Sequence, residues 1–164
     1  LCNRHKIESE QADLNKKIVE AFQNNFDFCP TYFFFSDYSS SIRKGDFNNV
    51  EFLNEKLLPD TTILLSNRSF LIAEFGRIEQ DTAKYFDGYY YTSGDNGLER
   101  KTSYYGGPNM RFGALVIKND QFMQLRRPFP YYVRTFDSLP IKRSPKNVVK
   151  RMNKKLQRFY KKNK

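Results

Sequence analysis

Apolar positions along this chain change their spacing several times, and each change predicts a different element. Ala12, Leu14, Ile18, Val19 and Phe22 recur at helical intervals with polar residues between them, which predicts a first helix over 8–23. Residues 24–30 break that pattern. Tyr32, Phe33, Phe34 and Phe35 then follow one another without a polar residue, predicting a buried strand over 31–35. Residues 36–45 read as a polar loop. Over 48–58, Phe52 or Leu53 shares a helical face with Leu57 until Pro59 ends the run, which predicts a short middle helix.

The next stretch switches to strand-like patterning. Segments 61–65 and 69–75 are expected to pair through Asn67-Arg68, because Asn tolerates the positive φ of a tight turn. Segments 88–92 and 101–105 flank Gly94-Asp95-Asn96-Gly97, a turn signature between two Tyr-rich runs. Segments 110–117 and 122–125 flank Asn119-Asp120, and 131–136 follows two prolines as a last strand. Short turns between successive strands favour antiparallel pairing over a parallel sheet with helical crossovers. The fold class expected is therefore α+β: a predominantly antiparallel, meandering sheet covered by helices.

The clearest helix is the last one. Ser144-Pro145 suits a helix start, since Ser caps free amides and Pro fits the first helical position. Val148, Met152, Leu156 and Phe159 then form one apolar stripe, while Lys150, Arg151, Lys154, Lys155, Arg158, Lys161 and Lys162 take up much of the remaining circumference. The charge distribution isolates this segment. Residues 138–164 carry eleven Lys or Arg and no acid, whereas residues 1–137 carry seventeen basic groups against eighteen acids, so the terminal segment supplies the entire net charge of +10.

Length and composition fit one folded domain over 1–164, with 138–164 as a basic helical segment packed on it or extending from it. Sixteen Phe and eleven Tyr supply a large buried ring area, which argues against disorder away from the ends. No apolar run approaches the roughly eighteen residues of a membrane span.

The residue types that carry chemistry are sparse. The one histidine, His5, lies near the N-terminus and leaves a Ser or Cys nucleophile without a base, and two distant cysteines with one histidine do not make a zinc set. No metal site or cofactor is expected. Cys29, before Pro30 and an apolar run, reads as a small buried thiol. Ser41-Ile42-Arg43-Lys44 has Ser-x-x-Lys spacing, with Lys101-Thr102-Ser103 further on, but such a short pattern in a loop is read as coincidence. Glu74, Glu79, Asp81 and Asp87 are candidate carboxylates, with Arg77 or Arg111 as expected partners of Glu74. Tyr89, Tyr90, Tyr91, Tyr104 and Tyr105 form an aromatic block suited to a core or to stacking on bases or sugars.

Three functional readings follow. The first is a non-enzymatic binding module whose terminal basic helix contacts an anionic partner: an acidic protein, a membrane surface or a nucleic acid. The second is a cell-envelope lipoprotein subunit lipidated at Cys2, suggested by Leu1-Cys2. The third is a carboxylate-based enzyme acting on a glycan. The deciding feature is the stripe of Val148, Met152, Leu156 and Phe159: if it is buried, only the basic face recruits partners, and if it is exposed, the helix docks through its apolar side.

Overall fold

The computed structural model describes residues 2–63, 69–79, 81–94, 97–105, 112–136 and 142–164; for 2–5, 81–90 and 103–105 it describes the backbone alone. Among the described residues three α-helices, α1 (Cys2–Asn25), α2 (Ser39–Lys44) and α3 (Pro145–Lys162), accompany seven strands: β1 (Phe33–Phe34), β2 (Phe52–Leu53), β3 (Ile72–Arg77), β4 (Asp81–Gly94), β5 (Gly97–Tyr105), β6 (Gly113–Lys118) and β7 (Tyr132–Arg134). The fold is α+β with antiparallel strands. Among the described residues these strands divide into three sheets, ordered β1-β2, β3-β6-β7 and β4-β5.

The uninterrupted apolar run of β6 explains its central place. Ala114, Leu115, Val116 and Ile117 are all buried, as expected of a strand covered on both faces. It pairs with β3 from Ile72↔Lys118 to Arg77↔Gly113 and with β7 from Ala114↔Arg134 to Val116↔Tyr132. Leu115, Ile117 and Val133 face the helices. There they meet Ala21 and Phe22 of α1 and Val148, Val149, Met152 and Leu156 of α3 in the larger hydrophobic cluster. A second cluster gathers Ile42, Val50, Phe52 and Ile72, with Phe47 and Phe70 in edge-to-face contact at 5.6 Å.

The first helix is longer than its apolar stripe predicts, and among its described side chains the buried ones lie in its C-terminal turns. Val19, Ala21 and Phe22 are buried, whereas Ala12 and Leu14 are exposed. The expected 31–35 strand shortens to Phe33–Phe34, half-buried and paired with Phe52–Leu53 of β2.

The middle of the chain departs most from expectation. The short helix falls at Ser39–Lys44, inside the segment read as a loop, and turns out at Gly45, whose φ of 72° closes the helix in the left-handed region. Ile42 anchors this helix in the second cluster. Conversely, 48–58 is not a helix. Asn54 Oδ1 accepts from the backbone amides of Lys56 and Leu58, and Leu57 sits at φ 60°, so a local turn outcompetes the helical ladder. The same device recurs at Asn119, whose Oδ1 accepts from the amides of Gln121 and Met123 while Phe122 sits at φ 61°; the chain turns at Asn119-Asp120 as expected, but 122–125 is not a strand and contributes only the isolated Lys118↔Gln124 bridge. Residues 61–63 are turn and irregular backbone rather than strand, and the proposed Asn67-Arg68 turn lies outside the described residues. β3 begins and ends later than the 69–75 predicted, and β4 is far longer than 88–92. The Gly94↔Gly97 pair that closes β4 and β5 agrees with the predicted turn.

Met152 has no exposed surface and lies at the centre of the larger cluster, so Met152→Ala should cost about 2–5 kcal/mol of stability in denaturant unfolding. Lys154→Ala, two residues along the same helix on its exposed side, should change stability by no more than about 0.5 kcal/mol.

Candidate functional site

Helix α3 is positioned by three kinds of contact. At its start, Ser144 adopts an extended conformation, with φ −64° and ψ 152°, and its side chain accepts from the amide of Asn147 at 3.4 Å, with Pro145 next in line. Along its length the predicted stripe is buried: Val148 and Met152 are inaccessible and Leu156 nearly so, with Val149 widening the stripe. Phe159 is half-buried, its ring edge-on to Phe129 at 5.4 Å.

The third contact is polar and was not legible in the sequence. Asn153 is buried beside the stripe, its Oδ1 accepting from the amides of Asp27 and Phe28 at 3.3 and 3.2 Å. Its Nδ2 donates to Asp27 Oδ1 at 2.7 Å, and Gln157 Nε2 donates to the same oxygen at 2.6 Å. This clasp ties the end of α1 to one flank of α3. With the stripe it sets the rotation of the helix, so the face opposite the stripe points to solvent.

All seven predicted cations, Lys150, Arg151, Lys154, Lys155, Arg158, Lys161 and Lys162, are exposed on that outward side. Lys155 folds back, its Nζ donating to the carbonyl of Tyr132 at 2.9 Å and lying 5.4 Å from that residue's ring centroid. Among the described residues no carboxylate pairs with Lys150, Arg151, Lys154, Arg158, Lys161 or Lys162. Elsewhere among the described residues, Lys101 pairs with Glu99 at 3.5 Å and Lys118 with Glu74 at 2.9 Å.

The positive surface continues onto β7, which sequence reasoning assigned no role. Tyr131, Val133 and Thr135 are buried while Tyr132, Arg134 and Phe136 are half-exposed, the strict alternation of a strand with one face covered. The outward face therefore carries Tyr132 and Arg134. Arg134 stacks over Phe112 at 3.8 Å, and Arg143 stacks over Phe136 at 4.1 Å while donating to the carbonyl of Arg134. Desolvation pushes the Arg143 guanidinium below its ordinary pKa, and the nearby charges of Arg151 and Arg134 push it the same way. Beside Lys155, residues 127–132 border an open hollow of about 190 Å³ that also presents Arg127. The alternation over 131–136 was the available sequence signal for this extension.

The remaining candidates do not converge. Glu74 pairs with Lys118 rather than with Arg77, and Glu79 approaches the same ammonium at 3.9 Å; both carboxylates are about half exposed. Arg111 and the side chains of Asp81 and Asp87 lie outside the described residues. Cys29 is exposed, correcting its reading as a buried thiol, although partial desolvation still raises its pKa. Ser41 lies on the six-residue α2, and Lys101 is engaged by Glu99. Tyr91 is exposed, while the side chains of Tyr89, Tyr90, Tyr104 and Tyr105 lie outside the described residues, as do those of Cys2 and His5. Among the described residues no group of His, Cys, Asp and Glu is arranged to hold a metal, and no helix is long and apolar enough to cross a membrane.

The clasp makes a pH-dependent prediction. Asn153→Asp sets a second carboxylate against Asp27, raising the pKa of the pair in the folded state. The protein then binds a proton more tightly folded than unfolded, so the variant should be markedly less stable than the parent at pH 7 and should recover as pH falls through the carboxylate range. Thermal unfolding at pH 7 and pH 4.5 checks this.

Comparison with protein-family models, curated protein sequences and solved structures returns no match to this chain, so the functional reading rests on the geometry of the site itself.

Proposed function

We propose that this protein is a non-enzymatic binding module that holds a polyanionic partner against the outward basic face of α3. The observation that carries the reading is the division of the helix: its apolar stripe is spent on the core, and Lys150, Arg151, Lys154, Arg158, Lys161 and Lys162 point outward without carboxylate partners among the described residues. A solvated helix face needs charge for solubility, but mixed charge serves that end as well. Cations of one sign over more than four helical turns raise the local potential and are relieved when an anion binds.

The buried stripe also narrows the mode of contact. A helix that lies in a bilayer interface inserts an apolar face. Here that face is covered by α1, β6 and β7, which favours recognition by charge and hydrogen bonding over insertion. The partner is accordingly one rich in phosphate or carboxylate, bound more weakly as salt rises.

The test replaces Lys150, Lys154, Arg158 and Lys161 together by Gln, which retains helix propensity and leaves the stripe untouched. At roughly 1 kcal/mol per cation, affinity for an inorganic polyphosphate chain should fall by more than about a hundredfold at low salt, with the melting temperature unchanged. Undiminished binding by the folded variant would rule the reading out.

A further inference from the structure

We propose that the seam between β7 and α3 is a track for single-stranded nucleic acid, with phosphates held by the cations and a base seated in the hollow beside Tyr132. This rests on the reading of α3 as a polyanion-binding face and names the polyanion.

Charge alone does not distinguish a nucleic acid from other polyanions; the rings along the seam do. The Arg134 guanidinium carbon lies 3.8 Å from the Phe112 ring centroid, and that of Arg143 lies 4.1 Å from the Phe136 centroid. A guanidinium stacked on one side presents a second planar face, which suits a base as well as a phosphate. Next to the Arg134–Phe112 pair the Tyr132 ring, in contact with Phe112 at 5.9 Å, borders the hollow together with Lys155 and Arg127. Rings interleaved with cations along a groove are the arrangement that binds unpaired bases, since every base has a face to stack. A duplex hides those faces, and a flat lipid surface has no planar group to offer.

The size of the hollow agrees. At about 190 Å³ it falls below the roughly 300 Å³ at which pockets for free small ligands begin, so it fits one planar unit of a longer chain. The cations beside it supply the binding energy that a pocket this open lacks. Arg151, Lys155, Arg158 and Lys162 follow one side of α3 at steps of three or four residues, about one per 5.4 Å turn, and carry the polymer away from the hollow.

The experiment measures binding of a fluorescent oligodeoxythymidylate to the full chain at low salt, with competition by polyphosphate of equal charge and by anionic vesicles. The parent is compared with Arg127→Lys, which keeps the charge and removes the planar guanidinium, and with Tyr132→Leu, both checked for unchanged melting. The expected result is that polyphosphate competes about tenfold less well than the oligonucleotide, and that each variant weakens oligonucleotide binding about tenfold while altering polyphosphate binding less than about twofold. Equal competition with both polyanions weakened alike would overturn the nucleic-acid assignment and leave the polyanion reading intact. Tighter binding to vesicles than to the oligonucleotide would overturn it in favour of a lipid surface. Binding to none of the three would remove both readings. If Tyr132→Leu lowers the melting temperature, Arg127→Lys alone decides, because Arg127 is exposed.

Discussion

The burial of one face of α3 against β6, β7 and the end of α1 is the constraint on which the rest of the architecture depends. Val148, Val149, Met152 and Leu156 meet Leu115 and Ile117 from the sheet and Ala21 and Phe22 from α1, so one helix closes both sides of the larger cluster. Each such side chain removed from water contributes about 1.5–3 kcal/mol, and four together outweigh the mutual repulsion of exposed lysines screened by solvent. A helix carrying eight Lys and Arg and no acid is thereby held in place. Repulsion among the cations is tolerated because the opposite face is so well packed.

The polar contacts refine what the apolar stripe begins. A stripe of four side chains permits some rolling of a helix on a sheet. Asn153 and Gln157 restrict it by engaging Asp27, with two backbone amides satisfied in the same stroke. On the opposite flank Lys155 reaches the carbonyl of Tyr132. Helix α3 therefore lies beside β7 in a fixed rotation, and the outward residues of that edge strand add an arginine and a tyrosine to the surface of the helix. Structure and charge are linked here: the contacts that stabilise the core also align the cations.

The terminal helix was legible from sequence because its signals agree with one another. A Ser-Pro start, an apolar stripe at helical spacing and strong helix formers all indicate the same element. The central strand was legible for a similar reason, as four consecutive apolar residues suit a strand covered on both faces. The segment 36–58 was not, because its structure is decided by competition between neighbours. Asn54 withdraws amides from a potential helix, Leu57 takes a left-handed conformation that its residue type disfavours, and Ile42 draws a polar-looking segment into the second cluster. Of the candidate site, the seven cations of α3 were readable as a face. Arg134, Arg143 and Arg127 were not, since their relation to α3 depends on β7 lying alongside it, and Asn153 is indistinguishable in sequence from its solvated neighbours.

Native-state hydrogen exchange along α3 tests the central claim most directly, since a helix integral to the core opens only with the whole molecule. Amides over 152–158 should exchange as slowly as those of β6, with protection lost in the same global transition. Exchange of these amides at rates close to those of an unprotected chain, while β6 remains protected, would mean that the helix is undocked and that its apolar stripe is free to bind elsewhere.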